Sequence, residues 1–178
     1  MTDPPRLARA FPDSATLGAV LVRRGLTVAV AESCTGGLLG AALTAVPGSS
    51  RYFRGGVVAY ADAAKRHLLA VEADLLARAG AVSPEVAEAM ASGVRALLVA
   101  DLGLAITGVA GPGAEGTAKP VGLIYVAARS ENRSEVMELR EHGDREANRA
   151  AAVRAVISLG IELAGTAAPS RTLPPGTG

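Results

Sequence analysis

Four side chains with chemical potential, Glu32, Ser33, Cys34 and Thr35, stand in a row before the glycine pair Gly36-Gly37. They follow a short apolar, β-branched run, TVAVA, and precede another apolar run, LLGAALTAV, so they occupy a strand-to-helix junction. Free N–H groups at a helix start favour negative charge, and glycines let an anion or an anionic intermediate approach the backbone. A hydroxyl held there can attack a carbonyl while amides stabilise the oxyanion. The plain alternative is a capped βα turn with no chemistry. Tyr60 and Lys65 bracket a second strand end. Desolvation would lower the lysine's pKa and make it a usable base, and Ser–Lys pairs, with or without a tyrosine, replace Ser–His–Asp in some hydrolases. Otherwise Tyr60 is an edge residue and Lys65 a solvated helix charge.

Further along, Gly108-Val109-Ala110-Gly111-Pro112-Gly113 can present a row of backbone amides to a carbonyl, carboxylate or phosphate. It matches neither G-x-x-x-x-G-K-[ST] nor G-x-G-x-x-G. Arg145 and Arg149 are four apart, hence on one helix face, where they clamp a phosphate or serve as surface charges beside Asp144 and Glu146. Cys34 is an alternative nucleophile if a helix N-terminus lowers its pKa, with His67 and His142 as the available partners. No H-E-x-x-H and no paired cysteines indicate a metal site.

The elements that must position these residues follow from periodicity and punctuation. A helix is predicted from Ser14, as N-cap, through Arg24, with Leu17, Val20 and Leu21 inward and Gly25 ending it. A strand carries the opening run, and a helix extends from about Thr35 to Ala45. FRGGVVAYAD reads as a strand ending near Tyr60, followed by helices over Ala63–Leu69, Glu72–Ala79 and Pro84–Ala100. Ser83-Pro84-Glu85 is a strong start signal for the last of these. LGLAITGV (Leu102–Val109) reads as a buried strand, VGLIYVAA and SEVMELRE as a hairpin, and Arg145 to about Ala164 as a long helix. The pattern predicts an α/β fold: a single three-layer α/β/α domain over 14–165 with a mixed, mainly parallel sheet. Residues 1–13 and 166–178, rich in proline or glycine, read as flexible tails. If the first three strands are parallel neighbours, the loops Glu32–Gly37, Tyr60–Lys65 and Gly108–Lys119 meet at one sheet edge and form one pocket.

Composition narrows the function classes. A net charge of +1 with no basic tract, and only two Phe, three Tyr and no Trp, argue against nucleic-acid binding. The single cysteine rules out an internal disulfide framework. The N-terminus lacks the apolar core of a secretory signal and no window reaches a membrane span of about 20 apolar residues. A cytoplasmic protein is the resulting expectation.

Taken together, the segments ESCTGG, AY-x-x-x-x-K, TGVAGP, KPVG and HGDR resemble the C-terminal domain family of competence/damage-inducible protein CinA, which includes stand-alone nicotinamide-nucleotide amidohydrolases. The resemblance runs from about Leu17 to Leu163. It implies deamidation of nicotinamide mononucleotide to nicotinate mononucleotide and ammonia, without metal or cofactor. By that resemblance Ser33 is the nucleophile, assisted by Lys65 and Tyr60. Substrate contacts fall on Glu32, Thr35, Gly36, Gly37, Thr107, Gly108, Ala110, Gly111, Arg145 and Arg149, with Arg149 foremost for the phosphate. Ser33–Gly37 and Gly108–Gly111 are alternative oxyanion holes, and Lys65 and Tyr60 alternative immediate bases. A homodimer is also implied.

Two departures from the family pattern stand out. The loop before KPVG reads GAEGTA, which bears on the pocket entrance. About a dozen residues precede the first helix, so the molybdopterin-binding-like domain of longer members is expected to be absent. The competing reading is a catalytically weak nucleotide-binding or adaptor module of the competence and damage response.

Overall fold

Val28–Glu32 are all buried, which places β1 inside a sheet rather than at its margin. In the computed structural model, which describes residues 6–114 and 118–168, five strands form one sheet in the order β2-β1-β3-β4-β5. The strands are β1 (Val28–Glu32), β2 (Phe53–Val58), β3 (Leu102–Gly108), β4 (Leu123–Arg129) and β5 (Ser134–Arg140). β1 pairs in parallel with both β2 and β3, and the β3–β4–β5 run is antiparallel. The sheet is therefore mixed, with only β4 opposed to the rest.

Helices cover both faces, giving the predicted three layers. On one face lie α1 (Arg6–Ala10), α2 (Asp13–Arg24), α3 (Leu38–Thr44) and the long α7 (Arg145–Thr166), over a core that includes Leu17, Leu21, Leu104, Ile106, Val153 and Ile157. On the other lie α4 (Asp62–Leu69), α5 (Ala73–Ala79) and α6 (Pro84–Leu97), over Ala29, Ala31, Leu69, Met90, Val94 and Ala105. Small residues on β1 and β3 let the helices approach closely, in a protein with few aromatics. A Cβ on Gly93 of α6 would overlap the Leu69 carbonyl, so this glycine sets how near α4 sits to α6. Ser83 caps α6 as its sequence suggests, its Oγ accepting from Val86 N at 3.3 Å.

Three expectations need correction. The segment before residue 14 is not all loose: Arg6–Ala10 is helical, Leu7 packs on the core and Phe11 is buried. Ser14 is not an N-cap; it lies inside α2, which begins at Asp13, and its buried Oγ has no partner. α3 begins at Leu38 rather than Thr35, because Gly36 (φ 58°) and Gly37 (φ 98°) take left-handed conformations that a helix cannot contain.

Candidate active site

Because β1, β2 and β3 are parallel neighbours, the loops after them leave the same sheet edge. They enclose a cavity of about 240 Å³ lined by Ser33 and Cys34 from the first loop, Tyr60, Asp62 and Lys65 from the second, and Thr107–Gly111 from the third. That volume lies just below the range for small-molecule sites, roughly 300–1,000 Å³. Arg145 of α7, Ala81-Val82 of the α5–α6 connection and Gly113-Ala114 also line it.

The first loop is a tight turn. Ser33 N extends the sheet by donating to Ile106 O (3.0 Å), and Gly36 N donates back to Ser33 O (3.1 Å). Glu32 anchors the turn. Its carboxylate, 1% exposed, accepts from Gly37 N (3.0 Å), Leu39 N (3.1 Å) and Gly40 N (2.8 Å), which are orphan amides at the start of α3. Expected among the substrate contacts, Glu32 instead spends both oxygens on backbone and does not line the cavity. Thr35 is also fully buried, with a hydroxyl that has no partner. Cys34 does reach the cavity, but burial pushes its thiol up to about 11 despite the attraction of Arg145 and Arg149. The helix-start activation considered for it does not occur.

Lys65 is the largest fully buried side chain among the described residues, 1% exposed. Its Nζ donates to Tyr60 O at 2.9 Å and stands 3.6 Å from Asp62 Oδ1. Burial lowers its pKa from the ordinary lysine value; Asp62 acts in the opposite sense but is itself largely exposed and does not cancel the effect. The Tyr60 ring is exposed at the cavity, its hydroxyl accepting from Arg145 Nη2 at 3.2 Å. Asp62 went unnoticed in the sequence, although its place three residues before Lys65 on one helix was a signal.

The third loop forms the opposite wall. Thr107 lines the cavity and donates from Oγ1 to Ala81 O (2.7 Å), which leaves the oxygen free to accept. The first turn of α7 fastens the glycine-rich segment: Arg145 Nη1 donates to Gly111 O (2.6 Å) and Asn148 Nδ2 to Ala110 O (3.1 Å). Asn148 is 1% exposed and also accepts from Gly143 N, a role the sequence did not suggest. Arg145 lines the cavity, whereas Arg149 points to the first loop, its Nη2 2.5 Å from Thr35 O. Gly36 and Gly37 do not line the cavity. Residues 115–117 of the GAEGTA departure lie outside the described residues. Among the described residues, no three His, Cys, Asp or Glu side chains converge as a metal site would require.

A family model described as the CinA C-terminal domain matches residues 12–164. The chain belongs to the CinA C-terminal domain family. Similar curated proteins include a putative competence-damage inducible protein of Desulforudis audaxviator, 53% identical over 144 residues, covering 81% of this chain and 35% of that protein. A CinA-like protein of Gloeobacter violaceus is 55% identical over 122 residues, covering 68% and 29%. The chain thus spans about a third of the length of these curated relatives. Among solved structures, the competence damage-inducible protein A of Klebsiella pneumoniae superposes with a TM-score of 0.84 at 35% identity, covering 88% of this chain and 98% of that one. The competence/damage inducible protein CihA of Agrobacterium tumefaciens gives 0.84 at 36%, covering 92% and 99%. The mixed α/β sheet of this CinA domain is therefore the family's fold. No helix among the described residues is long and apolar enough to cross a membrane.

Proposed function

We propose that this CinA domain hydrolyses the carboxamide of nicotinamide mononucleotide, giving nicotinate mononucleotide and ammonia. The observation that carries the reading is that Ser33 and a solvent-excluded Lys65, its pKa lowered by burial, line one cavity. A neutral lysine amine accepts the Ser33 proton as Oγ attacks the carboxamide carbon. The tetrahedral oxyanion is held by backbone amides, either of the Ser33–Gly37 turn or of the Gly108–Gly111 wall. The Lys65 ammonium then returns its proton to the leaving nitrogen, and ammonia departs from an acyl-serine. Water, deprotonated by Lys65, hydrolyses that ester and restores Ser33.

The positions of the other groups support these roles. Lys65 serves as the immediate base because it is buried and its Nζ is oriented by the Tyr60 carbonyl, while the Tyr60 hydroxyl is engaged by Arg145. Asp62 and Arg145 give the lining one carboxylate and one guanidinium, which suit the pyridinium cation and the phosphate of a zwitterionic mononucleotide. No step calls for a metal, and the protein would act in the cytoplasm on a soluble nucleotide. The test is ammonia release from nicotinamide mononucleotide by the purified protein with a chelator present. Release supports the amidohydrolase; binding without release, with or without added divalent metal, favours the adaptor reading.

A further inference from the structure

The first turn of α7 touches both walls of the cavity. Arg145 and Asn148 hold the glycine-rich wall through the carbonyls of Gly111 and Ala110, and Arg149, on the same helix face, holds the Thr35 carbonyl on the nucleophile side. We propose that Arg149 is a positioning residue that fixes the Ser33–Gly36 turn, and with it the Ser33 hydroxyl, rather than a ligand for substrate phosphate. The inference rests on the reading of Ser33 as nucleophile.

Three observations carry it. Arg149 does not line the cavity that Ser33 and Lys65 share; it borders an adjoining hollow beside α1, with Leu7, Phe11 and Leu38, and Arg145 lines both. The residue is half-buried: its Nε is buried without a hydrogen-bond partner, and its Nη2 donates to Thr35 O. Finally, the turn needs an external hold. Gly36 and Gly37, three and four residues after Ser33, take positive φ and bring the conformational freedom of glycine to the end of the turn. Glu32 secures the downstream end through the amides of Gly37, Leu39 and Gly40. Among the described residues the Thr35 carbonyl otherwise accepts a 3.3 Å bond from Leu38 N, and Arg149 adds a short charge-assisted one. A displacement of about 1 Å at a reacting group costs up to about 100-fold in rate, so a hold at this point bears directly on turnover.

The test compares Arg149→Ala and Arg149→Lys on nicotinamide mononucleotide and on the unphosphorylated riboside. Fluorophosphonate labelling of Ser33, followed by intact mass, reads the reactivity of the hydroxyl without reference to any amide substrate. Positioning gives a kcat loss of about 10- to 100-fold that is equal for both substrates. It also gives KM within about threefold, slower Ser33 labelling by a similar factor, and partial recovery in Arg149→Lys. The lysine variant carries the same comparison should the alanine variant not fold. A KM increase confined to the phosphorylated substrate, or unchanged kcat and labelling, overturns the proposal. Wild-type protein that labels at Ser33 but releases no ammonia refutes the proposed substrate and leaves positioning to be judged by labelling. Wild-type protein that does neither overturns both.

Discussion

Glu32 offers a sharp test of how the Ser33–Gly36 turn is built. Replacing it with alanine removes the acceptor for three amides, Gly37 N, Leu39 N and Gly40 N, at a site where the carboxylate is 1% exposed. A buried donor left unsatisfied costs about 1–3 kcal/mol. Gly37 and Gly40 are only half-buried and border a groove of about 270 Å³ that water can enter, so Leu39 N bears most of the loss. A total of about 3–5 kcal/mol follows, which at about 2–4 °C per kcal/mol for a chain of this size lowers Tm by about 6–20 °C. Glu32→Gln separates charge from geometry. Its single oxygen can serve the two amides on Oε2, but its NH₂ then faces the Gly40 donor, for a loss of about 1–3 kcal/mol. Urea unfolding at pH 7 measures both variants. A loss below about 1 kcal/mol for Glu32→Ala, with Ser33 reactivity unchanged, would refute the claim that this carboxylate anchors the turn.

Other perturbations reach the remaining parts of the site. Because burial lowers the Lys65 pKa, between that lowered value and about 10.4 the unfolded chain carries a proton the folded chain has lost. Stability should therefore rise with pH across that window in the wild type and be flatter in Lys65→Met, which should also lose ammonia release; parallel curves from urea melts at pH 7–10 would contradict this. Arg145→Ala removes a guanidinium from the cavity and should lower kcat/KM for the mononucleotide about 10- to 150-fold, from about 1.5–3 kcal/mol for a charged hydrogen bond, with a smaller effect on the riboside. With its thiol at about 11, Cys34 is ionised in about one molecule per thousand at pH 8, so iodoacetamide should modify it slowly and Cys34→Ser should keep most activity.

The convergence of Ser33, Lys65 and Thr107–Gly111 was legible because each follows an apolar run, and loops after parallel neighbouring strands share one edge. Strand order itself was not legible: nothing in the spacing places β1 between β2 and β3. The anchoring contacts of Glu32 were not legible for a related reason. Its partners are amides five to eight residues downstream, and backbone donors leave no side-chain signature. The same holds for Arg145, Asn148 and Arg149, each of which grips a carbonyl from 34 to 114 residues away. Their i, i+3, i+4 spacing marked a shared face but not what the face touches. The first helix was hidden by the surrounding prolines, and Leu7 and Phe11 were the apolar residues that should have announced it. Where the sequence pattern named a loop, it was read; where the fold ties one loop to another through backbone, it was not.

The most direct measurement is made on Ser33→Ala, with binding of nicotinamide mononucleotide by calorimetry and ammonia release assayed side by side with the wild type. The expected result is a folded variant that binds the mononucleotide with near wild-type affinity and releases no ammonia above background. Ammonia release at the wild-type rate would contradict the assignment of Ser33 as nucleophile.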